Sequence, residues 1–278
     1  MNKMIKGFVV IALATGVFAQ TATSISTNTS STSVAGVLES LKASDFSLGI
    51  LNETVVAAEG ANGYTNSFYF YPGYKINDTF TVKAVPVITA NYSGPNKSQS
   101  DMNYDYNYMS ARLYVSNILT EAEHGVRMNL QIRDYIYRGS ARGENGVDQK
   151  LRIYPSLSKT FGNLSVAALA FVEFYDKNNK TRSTNQRNDY FGLSTTYSFN
   201  DNWSMNVALE YYNNHNTLIE DDVEALSLTL PNIGYSYKDI SANLYLFTDI
   251  TVNKDNRALK ADPLADASVV AEVFYSMF

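Results

Sequence analysis

Strict alternation of apolar and polar residues is the feature that most constrains this sequence. From Asp45 onward apolar side chains recur at every second position, as at Met128, Leu130 and Ile132. Successive side chains of a strand point to opposite faces, so this period predicts strands with one apolar and one polar face. No segment beyond the N-terminus approaches the roughly 18 consecutive apolar residues of a membrane-spanning helix. If the chain crosses a membrane, it must therefore do so as a closed barrel of strands.

Connections of two kinds separate the alternating segments. Short ones such as Asn77-Asp78, Gly162-Asn163 and Lys238-Asp239 consist of residues that tolerate tight turns, and longer polar ones lie between them. A β-sandwich gives no reason for every second connection to be long, whereas an outer-membrane barrel has short periplasmic turns and long extracellular loops. We therefore predict an all-β fold, a transmembrane antiparallel up-and-down β-barrel over residues 45–278. Its twelve predicted strands are 45–56, 66–76, 80–92, 104–119, 126–138, 147–160, 164–175, 189–199, 203–212, 223–237, 240–250 and 265–278.

The N-terminus predicts export. Lys3 and Lys6 precede an apolar run over Gly7–Val17, and small residues follow at the position of a cleavage site. This arrangement is typical of a signal peptide, and the apolar run is too short to cross a membrane as a helix. We expect residues 1–19 to be removed near Ala19.

A Ser/Thr-rich segment over residues 20–44 joins the signal peptide to the first strand. Its composition predicts a flexible leader. Val34, Leu38 and Leu41 fall at helical spacing, which allows a short helix over 34–43 at the base of the barrel or inside its mouth. The shortness of the run favours the alternative, a partly ordered tether.

Aromatic residues concentrate near both ends of the predicted strands, with aliphatic stretches between them. Such banding predicts two aromatic girdles at the interfaces of a bilayer. The short-turn set is Phe46, Tyr74, Phe80, Phe161, Phe199, Trp203, Tyr235, Tyr237 and Tyr275, and the long-loop set is Tyr69, Tyr92, Tyr104, Tyr106, Tyr135, Tyr137, Tyr175, Tyr190, Tyr211 and Tyr212.

Two positions depart from the alternation. Pro231 separates outward-facing leucines from an outward set that begins at Ile233, which predicts a β-bulge. Near the C-terminus, Glu272 assigns the odd positions to the outer face, whereas the terminal Phe278 is even. Either a register slip near the end or a Phe278 at the edge of the lumen accounts for this parity.

Charged residues of the polar faces segregate by strand. Basic residues come from predicted strands three to six, and acidic residues come mostly from the opposite wall of a closed ring. Such a lumen carries a transverse field, and the arginine fork suits carboxylates, so we predict passage of small hydrophilic, anionic solutes. Alternatively, these charges pair across the lumen and hold the barrel shut. The predicted pore-lining residues are Lys83, Arg112, Arg127, Arg133, Lys150 and Arg152 on the basic side, and Glu53, Glu173, Glu210, Asp249 and Glu272 on the acidic side.

Composition excludes several other classes of function. The chain has no cysteine, two histidines and a formal net charge of −5. Thiol catalysis and cysteine-based metal sites are therefore excluded, and we expect no cofactor and no metal. A sequence pI near 5.1 without a basic tract argues against nucleic acid as a partner. The expected partners are outer-membrane lipid and small polar or anionic solutes.

These features together resemble a known family of porins. An export signal, twelve short amphipathic strands, rows of lumen-facing Arg and Lys and a terminal Phe278 resemble the oligogalacturonate- and sialic-acid-specific porins. The resemblance is architectural, covers about residues 45–278, and implies a twelve-stranded channel that carries acidic sugars along basic tracks. The end of the chain, Val273–Phe278, resembles the C-terminal strand of Gram-negative outer-membrane proteins. That resemblance implies recognition of Phe278 by the barrel-insertion machinery.

Other readings of the same sequence remain open. One is an outer-membrane barrel with a closed lumen and a structural or surface-binding role. Another is an outer-membrane hydrolase, for which the sequence offers His124 in a turn and His215 in a loop with Asp221 and Asp222. A Ser nucleophile needs a neighbouring His base, and neither histidine is placed beside a Ser in a strand. A soluble periplasmic β-protein is disfavoured by the alternating loops and the aromatic bands.

Overall fold

Most of the predicted barrel is described by the structure, a computed structural model. The predicted signal peptide, the 20–43 part of the predicted leader and parts of the long connections lie outside the described residues. Within the part that is described, no helix is long and apolar enough to cross a membrane. The described residues are 44–57, 63–93, 103–138, 147–177, 185–216, 223–250, 264 and 267–278.

Twelve antiparallel strands close into a barrel, as predicted. Each long strand pairs with its neighbours in the chain, the last long strand pairs with the first, and two short strands extend the sheet at one end. A single short helix, α1 (Glu121–His124), fills one of the described turns. The strands are β1 (Phe46–Ser47), β2 (Gly49–Ala57), β3 (Gly63–Phe70), β4 (Gly73–Lys75), β5 (Phe80–Ser93), β6 (Asn103–Leu119), β7 (Arg127–Tyr137), β8 (Val147–Phe161), β9 (Leu164–Lys177), β10 (Asn185–Ser198), β11 (Trp203–Asn216), β12 (Val223–Tyr237), β13 (Ile240–Asp249) and β14 (Ser268–Ser276).

The first two predicted strands are each broken into two pieces. Strand β1 pairs with β4, and β4 pairs with the start of β5, so the extra strands continue β2 and β3 beyond the short-turn end. Pro72 lies in the second break and has no backbone N–H to donate. Backbone bonds still cross the breaks, with Tyr71 N donating to Gly49 O at 2.8 Å.

Asparagine side chains shape two of the tight turns. Asn77 Oδ1 accepts the backbone N–H groups of Thr79 and Phe80 at 2.9 and 2.8 Å. Asn200 Oδ1 repeats this pattern with Asn202 and Trp203, at 2.9 Å in both bonds. Each asparagine thus satisfies two donors that no strand partner reaches, which favours a turn at these positions.

The outer face of the barrel is apolar and the inner face is polar. On β8, Leu151 and Ile153 are each 39% exposed, whereas Arg152 and Tyr154 between and beside them are half-buried. On β10, Phe191 is 47% exposed, whereas the neighbouring Tyr190 is 8% exposed. The alternation read from the sequence therefore separates the two faces as predicted.

The two departures from alternation, near Pro231 and at the C-terminus, both coincide with a shift in the pairing register. The β12–β13 register shifts between Thr229 and Ile233, which is the bulge predicted at Pro231. At the C-terminus the pairing slips by one residue beyond Ser276, because Met277 N donates to Leu48 O at 2.8 Å whereas Leu48 N donates to Phe278 O at 3.0 Å, so that two residues oppose Leu48. This is the register slip near the end that the parity of Phe278 predicts as one of its two explanations.

Only one of the two predicted aromatic girdles is present as predicted. At the short-turn end Phe161, Trp203 and Tyr237 are 57%, 47% and 52% exposed on the outer face. At the long-loop end the prediction is wrong for most of its tyrosines, because Tyr135 and Tyr190 are 4% and 8% exposed and face the interior. The inward-facing members of that set are Tyr69, Tyr135, Tyr137, Tyr175, Tyr190 and Tyr212.

Candidate functional site

A row of basic residues crosses four neighbouring strands on the inner face. Lys83 on β5 pairs in register with Arg112 on β6, Arg112 pairs with Arg133 on β7, and Arg133 pairs with Arg152 on β8. Lys83 lies near the short-turn end of β5, whereas Arg152 lies in the long-loop half of β8. The row therefore climbs the wall of the barrel from one end toward the other.

Tyrosine rings support the lower part of this row. Lys83 Nζ and Arg112 Cζ lie 5.8 and 5.3 Å from the centroid of the Tyr71 ring. Arg133 Cζ lies 4.7 Å from the centroid of the Tyr154 ring. Contacts of this kind hold a cation in place without neutralising it.

We call Lys83, Arg112 and Arg133 the basic trio. No carboxylate among the described residues forms an ion pair with any of them. Their other partners are neutral. Arg112 Nε donates to Ser110 Oγ at 2.8 Å, and Arg133 Nη2 donates to Gln131 Oε1 at 2.6 Å. No ion pair within the described residues therefore neutralises the charge of the trio, of which Arg112 is itself only 7% exposed.

The upper end of the row is partly neutralised by Glu173, which the sequence analysis placed among the acidic residues. Glu173 is 2% exposed and lies on β9, directly beside Arg152. Its Oε1 accepts from Arg152 Nε at 2.5 Å and contacts Lys150 Nζ at 3.0 Å. Its Oε2 accepts from Tyr175 Oη at 2.8 Å and Asn188 Nδ2 at 3.0 Å. Interior charges therefore do pair at this point, but between the neighbouring strands β8 and β9 rather than across the lumen.

Two further carboxylates lie side by side on the far wall. Glu53 on β2 and Glu272 on β14 are register partners and are hereafter the acidic pair. Their donors are neutral: Tyr69 Oη bonds Glu53 at 3.2 Å, Tyr245 Oη bonds Glu272 at 3.1 Å, and Asn243 Nδ2 bonds Glu272 at 3.2 Å. In the ring of twelve, β14 and β2 stand diametrically opposite β8 and β9.

The remaining predicted acids occupy the wall between. Glu210 on β11 accepts from Tyr212 Oη at 3.2 Å. Asp249 on β13 accepts from Ser227 Oγ at 2.5 Å, and Ser227 is itself the register partner of both Glu210 and Asp249. Arg127, the first residue of β7, shares a face with Arg133 by alternation but is exposed at the short-turn end, away from the trio.

The aromatic residues of the inner face were missed as site residues by the sequence reading. Alternation alone could have found some of them, because Tyr114, Tyr135 and Tyr154 each stand two positions from an arginine of the row. Others form a cluster whose packing depends on neighbouring strands. Phe171 and Tyr190 stack at 4.5 Å with an interplanar angle of 4°, and Tyr212 meets Tyr190 edge-on at 4.7 Å.

Gly192 allows this cluster to lie flat against the wall. A Cβ at Gly192 would lie 2.5 Å from Tyr190 Oη and 3.0 Å from Tyr190 Cζ. The Tyr190 ring therefore occupies the space that any other residue at position 192 would fill, and it does not project toward the axis of the barrel.

The two histidines lie away from the polar interior. His124 is on α1, and its Nδ1 accepts from Thr120 N at 3.3 Å. His215 is the register partner of Arg187 on the outer face, and its Nε2 lies 2.9 Å from Asp189 Oδ2. The candidate partners Asp221 and Asp222 lie outside the described residues. Among the residues that are described, no group of three or more His, Asp or Glu could hold a metal ion.

Solved structures with the same architecture include outer-membrane channels. An outer membrane channel from Pseudomonas putida F1 superposes with a TM-score of 0.55 at 11% identity, over 84% of this chain and 96% of that one. The NanC porin superposes with a TM-score of 0.50 at 10% identity, over 82% and 98%. The chain has the fold of an outer-membrane β-barrel porin. LpxR from Salmonella typhimurium is similar at a TM-score of 0.42 and 9% identity, over 82% of this chain and 99% of that one. No protein-family model and no curated protein matches the sequence.

Proposed function

We propose that this protein is an outer-membrane channel through which small hydrophilic solutes diffuse, with a preference for anions. The observation that carries the proposal is the basic trio, three cations on the inner face that no described carboxylate neutralises. The carboxylates of the acidic pair stand apart from it, bonded only to neutral groups. A packed, closed interior would favour pairs of opposite charges throughout. On the described inner face, such pairs occur only at Glu173.

The outer face supports the placement in a membrane that this proposal requires. Large apolar side chains such as Leu157, Leu209 and Leu244 are 42%, 40% and 54% exposed, and water is a poor solvent for so continuous an apolar belt. The exposed aromatic residues at the short-turn end suit the interface between hydrocarbon and water. The predicted signal peptide supplies the export route, and the C-terminal strand ending in Phe278 is the segment that the insertion machinery would read.

The charge of the trio is large enough to select among ions. A unit charge 5 Å from a cation interacts by about 1–3 kcal/mol for an effective dielectric constant of roughly 80 to 20. Even the lower figure exceeds thermal energy, so anions concentrate along the basic wall and cations are depleted there. The acidic residues of the inner face oppose this effect only partly, since the predicted lining has six basic residues against five acidic ones.

Single-channel recording in planar bilayers tests this proposal. We expect discrete openings, with a reversal potential in a KCl gradient displaced toward the chloride equilibrium. Lys83→Gln with Arg133→Gln should move it toward potassium, because both substitutions remove inner-face cations while retaining polar side chains. Arg187→Gln is the matched control, since Arg187 bonds Asp189 on the outer face.

The outcomes of this recording separate the alternatives. Silence over many insertions would favour the closed barrel with a structural or surface-binding role. An unchanged reversal potential in the double variant would show that the trio does not line the conduction path.

Passive conduction is the activity we propose, without catalysis. His215 and Asp189 lie on the outer face, remote from any solute in the lumen. Purified protein should therefore hydrolyse neither phospholipid nor peptide in detergent, and turnover of either would revive the hydrolase alternative.

A further inference from the structure

The acidic pair and the basic trio are separated by two tyrosine rings on one continuous stretch of the inner face. Tyr69 Oη donates to Glu53 at 3.2 Å. The rings of Tyr69 and Tyr71 stack with centroids 6.4 Å apart, and Tyr71 lies 5.3 Å from Arg112 Cζ. An acidic surface and a basic surface thus border a shared aromatic floor.

The second member of the acidic pair borders the same floor. Glu272 shares a face of β14 with Phe274, whose ring meets Tyr71 edge-on at 6.0 Å. Glu272 is also the register partner of Glu53. Both carboxylates therefore lie on one side of the tyrosine rings, and the trio lies on the other.

The acidic pair and the basic trio each consist of like charges, and no ion pair joins the two sets. Like charges at directly opposed positions of neighbouring strands destabilise a sheet, and this holds for Glu53 with Glu272 and for Arg112 with Arg133. The rings hold the sets apart, and no described cation forms an ion pair with the acidic pair. A solute with a positive group at one end and a negative group at the other would relieve both repulsions at once.

We propose that this surface binds extended zwitterions, with the carboxylate on the basic trio and the ammonium on the acidic pair. Short peptides with free termini have this chemistry. In an α-amino acid one carbon separates the two groups, which is too short to span two rings. The proposal rests on the channel function above and names the solute class of that channel.

A chemically matched set of probes tests the site. Triglycine is the zwitterion, N-acetyltriglycine is the anion and triglycine amide is the cation, all of similar size. The measurement is the residence time of each probe, read as transient blocks of single-channel KCl current. We expect triglycine to reside about fivefold longer than either singly charged probe, as one additional solvent-screened ion contact would give.

Charge-neutral variants locate the two ends of the bound solute. Glu53→Gln with Glu272→Gln should make the residence times of triglycine and N-acetyltriglycine equal, because the ammonium of triglycine loses its partners. Arg133→Gln should shorten both. Glu123→Gln, at an exposed carboxylate on α1, is the control and should change neither.

The wild-type comparison decides the proposal even where a variant fails to fold. Equal residence times for triglycine and N-acetyltriglycine on the wild-type channel would overturn the zwitterion site while leaving the channel intact. A bilayer without openings would contradict the channel function itself, and the zwitterion site with it.

Discussion

Glu173 shows how a single buried carboxylate changes the charge of a whole wall. It accepts from Tyr175 and Asn188 and pairs with both Lys150 and Arg152. Two cations share one anion there, so the upper part of the wall keeps one net positive charge. Without Glu173 the basic surface would extend from Lys83 to Lys150 without interruption.

Replacing Glu173 with Gln should therefore make the channel more selective for anions. The change removes one negative charge and leaves two nearly buried cations unpaired, so we also expect a loss of about 3 kcal/mol in the free energy of unfolding. Reversal potential and urea unfolding measure the two effects. Glu123→Gln is the matched control, and an unchanged reversal potential would show that the cations beside Glu173 do not face the pore.

Substituting Gly192 by Ala should narrow the channel. The new Cβ would lie 2.5 Å from Tyr190 Oη, so the ring must leave the wall and move toward the axis. We expect a lower single-channel conductance, which the additional change Tyr190→Leu should restore. If conductance is the same in Gly192→Ala and the wild type, the aromatic cluster does not limit the cross-section of the lumen.

The short connections are the elements that set which strands lie side by side. Gly162 and Lys238 have φ angles of 60° and 53°, in the left-handed region that tight hairpin turns require. Asn77 and Asn200 close their turns through side-chain bonds to two backbone N–H groups each. Register across the inner face, and with it the alignment of the basic row, follows from these turns.

Asn200→Ala should lower the free energy of unfolding by about 1 kcal/mol, because two backbone donors lose their side-chain acceptor. Asp201→Ala is the control within the same turn, since no hydrogen bond of the Asp201 side chain occurs among the contacts described. Urea unfolding in detergent measures both. Equal effects of the two substitutions would mean that the side-chain hydrogen bonds of Asn200 do not stabilise this turn.

The whole molecule has two different ends, and its orientation in the membrane follows from them. All described tight turns, α1 and both ends of the described chain lie at one end of the barrel, and the strand ends that lead into the long connections lie at the other. Outer-membrane barrels place their short turns in the periplasm. We therefore expect the basic row to rise from the periplasmic opening toward the cell surface.

Cysteine labelling tests this orientation, because the natural chain contains no cysteine. Arg138→Cys, just beyond β7 at the long-loop end, should react with a membrane-impermeant thiol reagent on intact cells. Asp201→Cys, in a short turn, should react only after the outer membrane is permeabilised. The reverse pattern would contradict the orientation, and reaction of both on intact cells would contradict the spanning barrel.

Local chemistry was sufficient to predict the strands, the turns and the side of the sheet on which Arg112, Arg133 and Arg152 lie. Each of these depends on residues close together in the chain: a period of two, and residues that accept turn geometry. The same alternation predicts that Tyr135 and Tyr190 face the interior, but their position near the strand ends suggested a lipid-facing girdle instead. The breaks at Leu48 and Pro72 had no clear local signal apart from the proline.

Contacts between residues distant in the chain could not be read from the sequence. Glu173 meets Arg152 because the β8–β9 hairpin aligns them, and a shift of one residue would have placed Glu173 on the outer face. Glu53 and Glu272 become neighbours only where the last strand closes on the first. The pattern of one strand determines which face a side chain occupies, whereas its partner depends on register and closure, which are properties of the assembled barrel.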